Sequence, residues 1–155
     1  MPQLTTRSER TDRVTPVYVA GLLALAVGLA LVAIDQFVVG SLDTRLHEIY
    51  DPVGKYGDPG ALYAALYGIG VFGIAAWSAV LNLMRKGRRS AFRWSLTLLA
   101  VGAPVVLAPV VITEYGTTIV PLGLSAAYVA AWLLGVIGVI AHWRIRTQER
   151  TGAVW

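Results

Sequence analysis

The chain of 155 residues contains no cysteine and carries few charges, 14% in all. Without cysteine there can be no disulfide, thiolate metal site, iron–sulfur cluster, covalent haem or thiol redox chemistry. A soluble domain carries roughly 25% charged residues, and 56% hydrophobic content at a mean hydropathy of +0.63 lies well outside that class. A water-soluble domain of this size would struggle to hide so much apolar surface. Histidines are also scarce. His47 and His142 fall near opposite ends of the expected bundle, so they cannot share one haem or metal. Ser78, Ser95 and Ser125 have no histidine or lysine close by in sequence as a base. The composition therefore predicts no catalytic residue, metal or cofactor.

Long uncharged runs are what the chain does have. Val17 to Ile34 spans 18 residues, Ala61 to Met84 spans 24, Trp94 to Thr113 spans 20 and Ile119 to Ala141 spans 23, none holding a charge. About 20 apolar residues at 1.5 Å each cross the roughly 30 Å hydrocarbon layer. The alternation expected of barrel strands is missing. The predicted fold is thus all-α, an integral membrane bundle of four transmembrane helices with N and C termini cytoplasmic. The spans fall at 16–39, 60–84, 93–113 and 119–142. A tail at 1–15, an outer loop at 40–59 and a tail at 144–155 complete the chain. Thr15-Pro16 and Asp58-Pro59 read as cap-plus-proline helix starts, Ser90 as the cap of the third helix and Ile119 to Pro121 as the start of the fourth. Pro104 and Pro109 predict a bend in the third.

Orientation follows from basic side chains. Eleven of the thirteen lysines and arginines lie in the two tails and the Met84–Arg93 connection; only Arg45 and Lys55 lie in the other two connections. That split explains a pI near 9.7. It predicts contact with anionic lipid at Arg85, Lys86, Arg88 and Arg89, and nothing in it resembles a nucleic-acid surface. The first run is too long for a cleaved signal segment and lacks a cleavage site, which favours a retained helix.

Gly68, Gly70 and Gly73 form G-x-G-x-x-G. A dinucleotide loop needs a strand before it, a helix after it and an acid about 20 residues on; here the glycines lie mid-span and the later stretch is basic. Helix packing through small residues is the better reading, with Gly21 and Gly28, Ala64 and Gly68, and Ala127, Ala131 and Gly135 as the contact stripes. Asp35 and Glu114 are acids at similar depth near the outer ends of their helices, and intramembrane acids are functional candidates by default. Arg45 is a possible counter-charge, and Tyr63 and Tyr67 share a face that could line an outer site with them. In the 40–59 loop, Leu42, Leu46 and Ile49 recur at helical spacing. The functional expectation is a non-catalytic accessory or stabilising subunit of a larger plasma-membrane complex, such as a transporter or envelope machine. The alternative is a stand-alone lipid or small-ligand binding or transport protein with an outer site near Asp35 and Glu114.

Overall fold

The structure is a computed structural model, and it describes residues 7–86, 88 and 90–151. It is helical almost throughout. Helix α1 (Arg7–Ile34) runs on through one π-helical turn (Asp35–Val39) into a short helix α2 (Ser41–Tyr50) and a 3-10 turn (Asp51–Val53). Helix α3 (Pro59–Arg85), helix α4 (Ser90–Val111), a two-residue ribbon of β1 (Thr113–Glu114) and β2 (Thr117–Thr118), and helix α5 (Leu122–Thr151) follow. Among the described residues four helices are long and apolar enough to cross a membrane: Thr15–Val39, Pro59–Arg85, Ser90–Val111 and Leu122–Arg144. Within these, only 17–39% of the most apolar 18-residue window is buried inside the bundle. The remaining apolar surface faces outward, as a bilayer permits and water does not.

Successive long helices run antiparallel. Helices α3 and α5 each pack on both α1 and α4, so α1 and α4 sit across a diagonal. Tyr18 of α1 spans that diagonal, its hydroxyl donating to Ser95 Oγ of α4 at 3.5 Å. Two buried clusters fill the interior. Tyr18, Val80, Leu81, Met84 and Ala91 lie at the end that holds the α3–α4 connection. Leu25, Val32, Leu42, Tyr63, Leu66 and Leu124 are prominent in the cluster at the α2 end.

Small residues bring the helices together, though not everywhere the sequence predicts. A Cβ on Gly21 would lie 3.7 Å from the Ala131 carbonyl, and one on Gly28 would lie 3.4 Å from the Ala127 side chain and 3.3 Å from the Tyr128 ring. One on Gly135 would strike Trp77. The Ala64 and Gly68 stripe is a correction. Ala64 is exposed, and a Cβ on Gly68 would meet nothing within 4 Å. Helix α3 buries Tyr63, Leu66 and Gly70. At 100° per residue that phase turns positions 64 and 68 outward. The contact glycines on α3 are Gly70 and Gly73, which receive Leu29 and Leu25 of α1. Two of the three G-x-G-x-x-G glycines are thus seats for leucines.

Several boundaries also differ from expectation. Helix α1 begins at Arg7, so Pro16 is internal rather than the first helical residue after a Thr15 cap. A proline deletes one amide, costing the ladder the rung to Asp12, without forcing a stop. Helix α5 continues through the expected C-terminal tail to Thr151. Its start is Leu122, with Pro121 O accepting from Leu124 N at 3.0 Å. Helix α4 is continuous through Pro104 and Pro109 but stops at Val111. Glu114 therefore belongs to a hairpin instead of a helix end. The hairpin turn is Tyr115-Gly116, with φ of 51° and 79°; positive φ at both central residues is the mark of a tight type I′ turn. By contrast Asp58 caps α3 as expected, its Oδ1 accepting from Gly60 N at 2.9 Å ahead of Pro59.

Candidate functional site

The polar side chains of the bundle concentrate where α1, α2 and the hairpin meet. The chain reaches this junction through the π turn, closed by Gly40 N donating to Asp35 O at 2.6 Å. A π turn holds one residue more than an α turn, and that widening turns Asp35 inward. Asp35 is 4% exposed while its neighbours Phe37 and Val38 are 78% and 80% exposed. Gly40 then takes φ of 69°, in the left-handed region that only glycine visits cheaply. It swings the chain into α2, which runs along the end of the bundle.

Asp35 is held by four donors. Its Oδ1 accepts from Ser41 N at 3.0 Å and from Ser41 Oγ; its Oδ2 accepts from Leu42 N at 3.1 Å and from Tyr63 OH at 2.7 Å. The carboxylate therefore serves as the N-terminal cap of α2, delivered from six residues upstream, and it ties α2 to α3. The first amides of a helix carry partial positive charge and no internal acceptor, so a buried carboxylate is chemically matched to them. Leu42, Leu46 and Ile49 of α2 are buried beneath it, and Asp43, Thr44, His47 and Glu48 are exposed.

Glu114 is tied to the other end of the same helix, where Tyr50 OH donates to its Oε2. That hydrogen bond holds the phenol in its neutral form and raises the Tyr50 pKa. Tyr115 stacks edge-on against Tyr50 with ring centroids 6.1 Å apart, and Lys55 Nζ donates to Tyr115 OH at 3.0 Å. The Lys55 pKa is raised by that contact.

Asp35 engages residues 41–42 and Glu114 engages residue 50, so the anchoring points are about 12 Å apart along α2 at its 1.5 Å rise. The two acids do not meet in one site. Neither is Arg45 a counter-charge to Asp35. Its Nε donates to Thr118 O at 3.4 Å and its Nη1 to Glu48 Oε2 at 3.3 Å. Tyr63 does reach Asp35, but Tyr67 donates to Gln36 Oε1 at 2.9 Å. At the opposite end, Arg85, Lys86 and Arg88 are exposed; Arg89 lies outside the described residues.

Between the end of α1, the outward face of α2 and the start of α5 opens a groove of about 560 Å³. Ser41, Thr44, Arg45, Glu48 and Thr118 form its polar wall; Val39, Pro121 and Leu122 supply an apolar lip. Of these, sequence reasoning singles out Arg45 alone. The rest carry no local signal: the hairpin brings Thr118 and Pro121 to α2 from more than 70 positions away.

No protein family, curated protein or solved structure is detectably similar to the chain. Its chemistry must therefore be read from the geometry. Among the described residues no cluster of three metal-ligating side chains exists, and the buried carboxylate is fully occupied by hydrogen bonds within the chain.

Proposed function

We propose that the chain is a multi-pass protein of the plasma membrane with both termini in the cytoplasm. Its role is that of a non-catalytic accessory or stabilising subunit of a larger membrane assembly, such as a transporter or envelope machine. The observation that carries this reading is how Asp35 is used. An acid inside a membrane segment is expensive and is ordinarily retained for ion binding, proton relay or ligand capture. Here its oxygens receive four hydrogen bonds from Ser41, Leu42 and Tyr63. It is spent on holding the end of the bundle together. Glu114 is spent likewise on Tyr50. What the bundle offers outward is an apolar belt along its length. One polar cap closes one end, and exposed Arg85, Lys86 and Arg88 mark the other. The distribution of lysine and arginine supports a cytoplasmic position for that basic end and contact there with anionic lipid.

Affinity purification of the tagged chain in a gentle detergent, followed by mass spectrometry, tests the role. Stoichiometric recovery of larger membrane subunits is expected, and isolation only as a monomer or homodimer overturns it. Labelling of single cysteines introduced at Lys86 and at Tyr56 tests the orientation: Tyr56 should react from outside intact cells and Lys86 should not.

The second reading, a stand-alone lipid or small-ligand binding or transport protein, is favoured by the groove on α2. Its site would be Arg45 and its neighbours and not the Asp35 and Glu114 pair.

A further inference from the structure

We infer that the groove between α1, α2 and α5 is a binding site for the zwitterionic headgroup of a phosphatidylethanolamine. The inference rests on the membrane reading above, and specifically on α2 lying at a lipid–water boundary; it does not depend on the accessory role. Its cavity of about 560 Å³ lies within the range of roughly 300–1,000 Å³ that small-molecule sites occupy. One wall carries both charge signs side by side. Arg45 Nη1 is 3.3 Å from Glu48 Oε2, and both side chains remain partly open, at 38% and 60%. An ion pair this exposed contributes little by itself, so both groups stay available to a ligand bearing the complementary pair of charges. Arg45 presents a planar set of donors suited to phosphate oxygens. Thr118 adds a hydroxyl at the groove, while the Ser41 and Thr44 hydroxyls donate to Asp35 and to the Gly40 carbonyl and leave their oxygens to accept from an ammonium. Glu48 can accept from an ammonium group.

Charge balance selects the headgroup. Residues 40–59 hold Asp43, Glu48, Asp51 and Asp58 against Arg45 and Lys55, so the segment opposes a net-negative lipid. Among the described residues no aromatic side chain lines the groove. A quaternary ammonium is recognised by aromatic faces, whereas a primary ammonium is recognised by hydrogen-bond acceptors. The groove therefore fits ethanolamine better than choline. The apolar lip of Val39 and Leu122 opens toward the outward faces of α1 and α5, where Ile34, Val38 and Ala126 are exposed and can lie against acyl chains.

The test is native mass spectrometry of the full chain in mild detergent, with equal concentrations of short-chain phosphatidylethanolamine, phosphatidylcholine and phosphatidylglycerol. The wild type should retain phosphatidylethanolamine about ten-fold over the other two. Arg45→Gln should reduce that retention about ten-fold, as expected for one charge-assisted hydrogen bond. Glu48→Gln should erase the preference over phosphatidylglycerol. Thermal melts matched to wild type check that each variant is folded. If Arg45→Gln does not fold, because Arg45 also holds the Thr118 carbonyl, Glu48→Gln carries the test. Equal retention of the three lipids, a preference for phosphatidylglycerol, or a wild-type preference that survives the variants overturns the inference. The isolated chain is used, so a failed partner purification leaves this result independent.

Discussion

Replacing Gly135 by alanine is expected to destabilise the bundle, whereas the same change at Gly68 is not. A Cβ on Gly135 would lie 2.6 Å from Trp77 Cζ2, 2.9 Å from Cη2 and 3.2 Å from Leu99 Cδ2. Carbon atoms in good contact sit about 3.5–4.0 Å apart, so the ring must retreat by about 1 Å. It has little room, because its other neighbours include Tyr18, whose ring centroid is 5.4 Å away. Overpacking of this kind costs about 1–3 kcal/mol. Any glycine-to-alanine change in a helix also gains about 1 kcal/mol of intrinsic propensity. That gain is common to both sites, and a Cβ on Gly68 meets nothing. The difference between the two variants therefore isolates the clash, at about 1–3 kcal/mol. Equilibrium unfolding followed by far-ultraviolet circular dichroism measures it. Cζ2 and Cη2 belong to the benzo ring, so Trp77→Phe should lessen the penalty of Gly135→Ala in a double-mutant cycle. If Gly135→Ala is as stable as Gly68→Ala, or the cycle shows no coupling, α3 and α5 do not pack as described.

Asp35→Asn puts an amide donor against the donors of Ser41, Leu42 and Tyr63; the expected cost is about 1–3 kcal/mol, read as faster hydrogen exchange across residues 41–50 with the long helices unaffected. Gly40→Ala forces a Cβ into the left-handed region at φ of 69°, and a loss of about 1–2 kcal/mol in the same unfolding assay is expected. His47 should titrate above its ordinary value of 6.5, because its Nδ1 donates to Asp43 O and the Asp43 and Asp51 carboxylates favour the cation. A raised folded pKa stabilises α2 fully below about pH 6.5 and loses that effect as pH rises through the folded value. Nuclear magnetic resonance titration of His47 at or below 6.5 refutes this.

Much of the fold was legible in one dimension because its signals are local. Four uncharged runs of sufficient length leave few structures that can satisfy their backbone in lipid, and the α-helix is the simplest of them. Leu42, Leu46 and Ile49 announced α2 by spacing alone, and Asp58-Pro59 announced the start of α3. The packing stripes on α1 and α5 were legible for the same reason, since small residues four apart share a face. Helix phase was less secure on α3, where several glycines and alanines compete and burial of Tyr63, Leu66 and Gly70 marks the side that turns inward.

The candidate site was harder to read because it is made of long-range pairings. Composition and run length by themselves determined an apolar, cysteine-free, four-helix chain with its basic residues gathered toward one end. They also marked Asp35 as a candidate, since it closes an 18-residue uncharged run near the outer end of its helix. Only the tertiary structure decided what that carboxylate does. Whether it faces lipid, water or another element depends on one extra residue in a π turn and on the sign of φ at Gly40. Neither is encoded in hydrophobic periodicity, and together they swing the Ser41 and Leu42 amides onto the carboxylate oxygens.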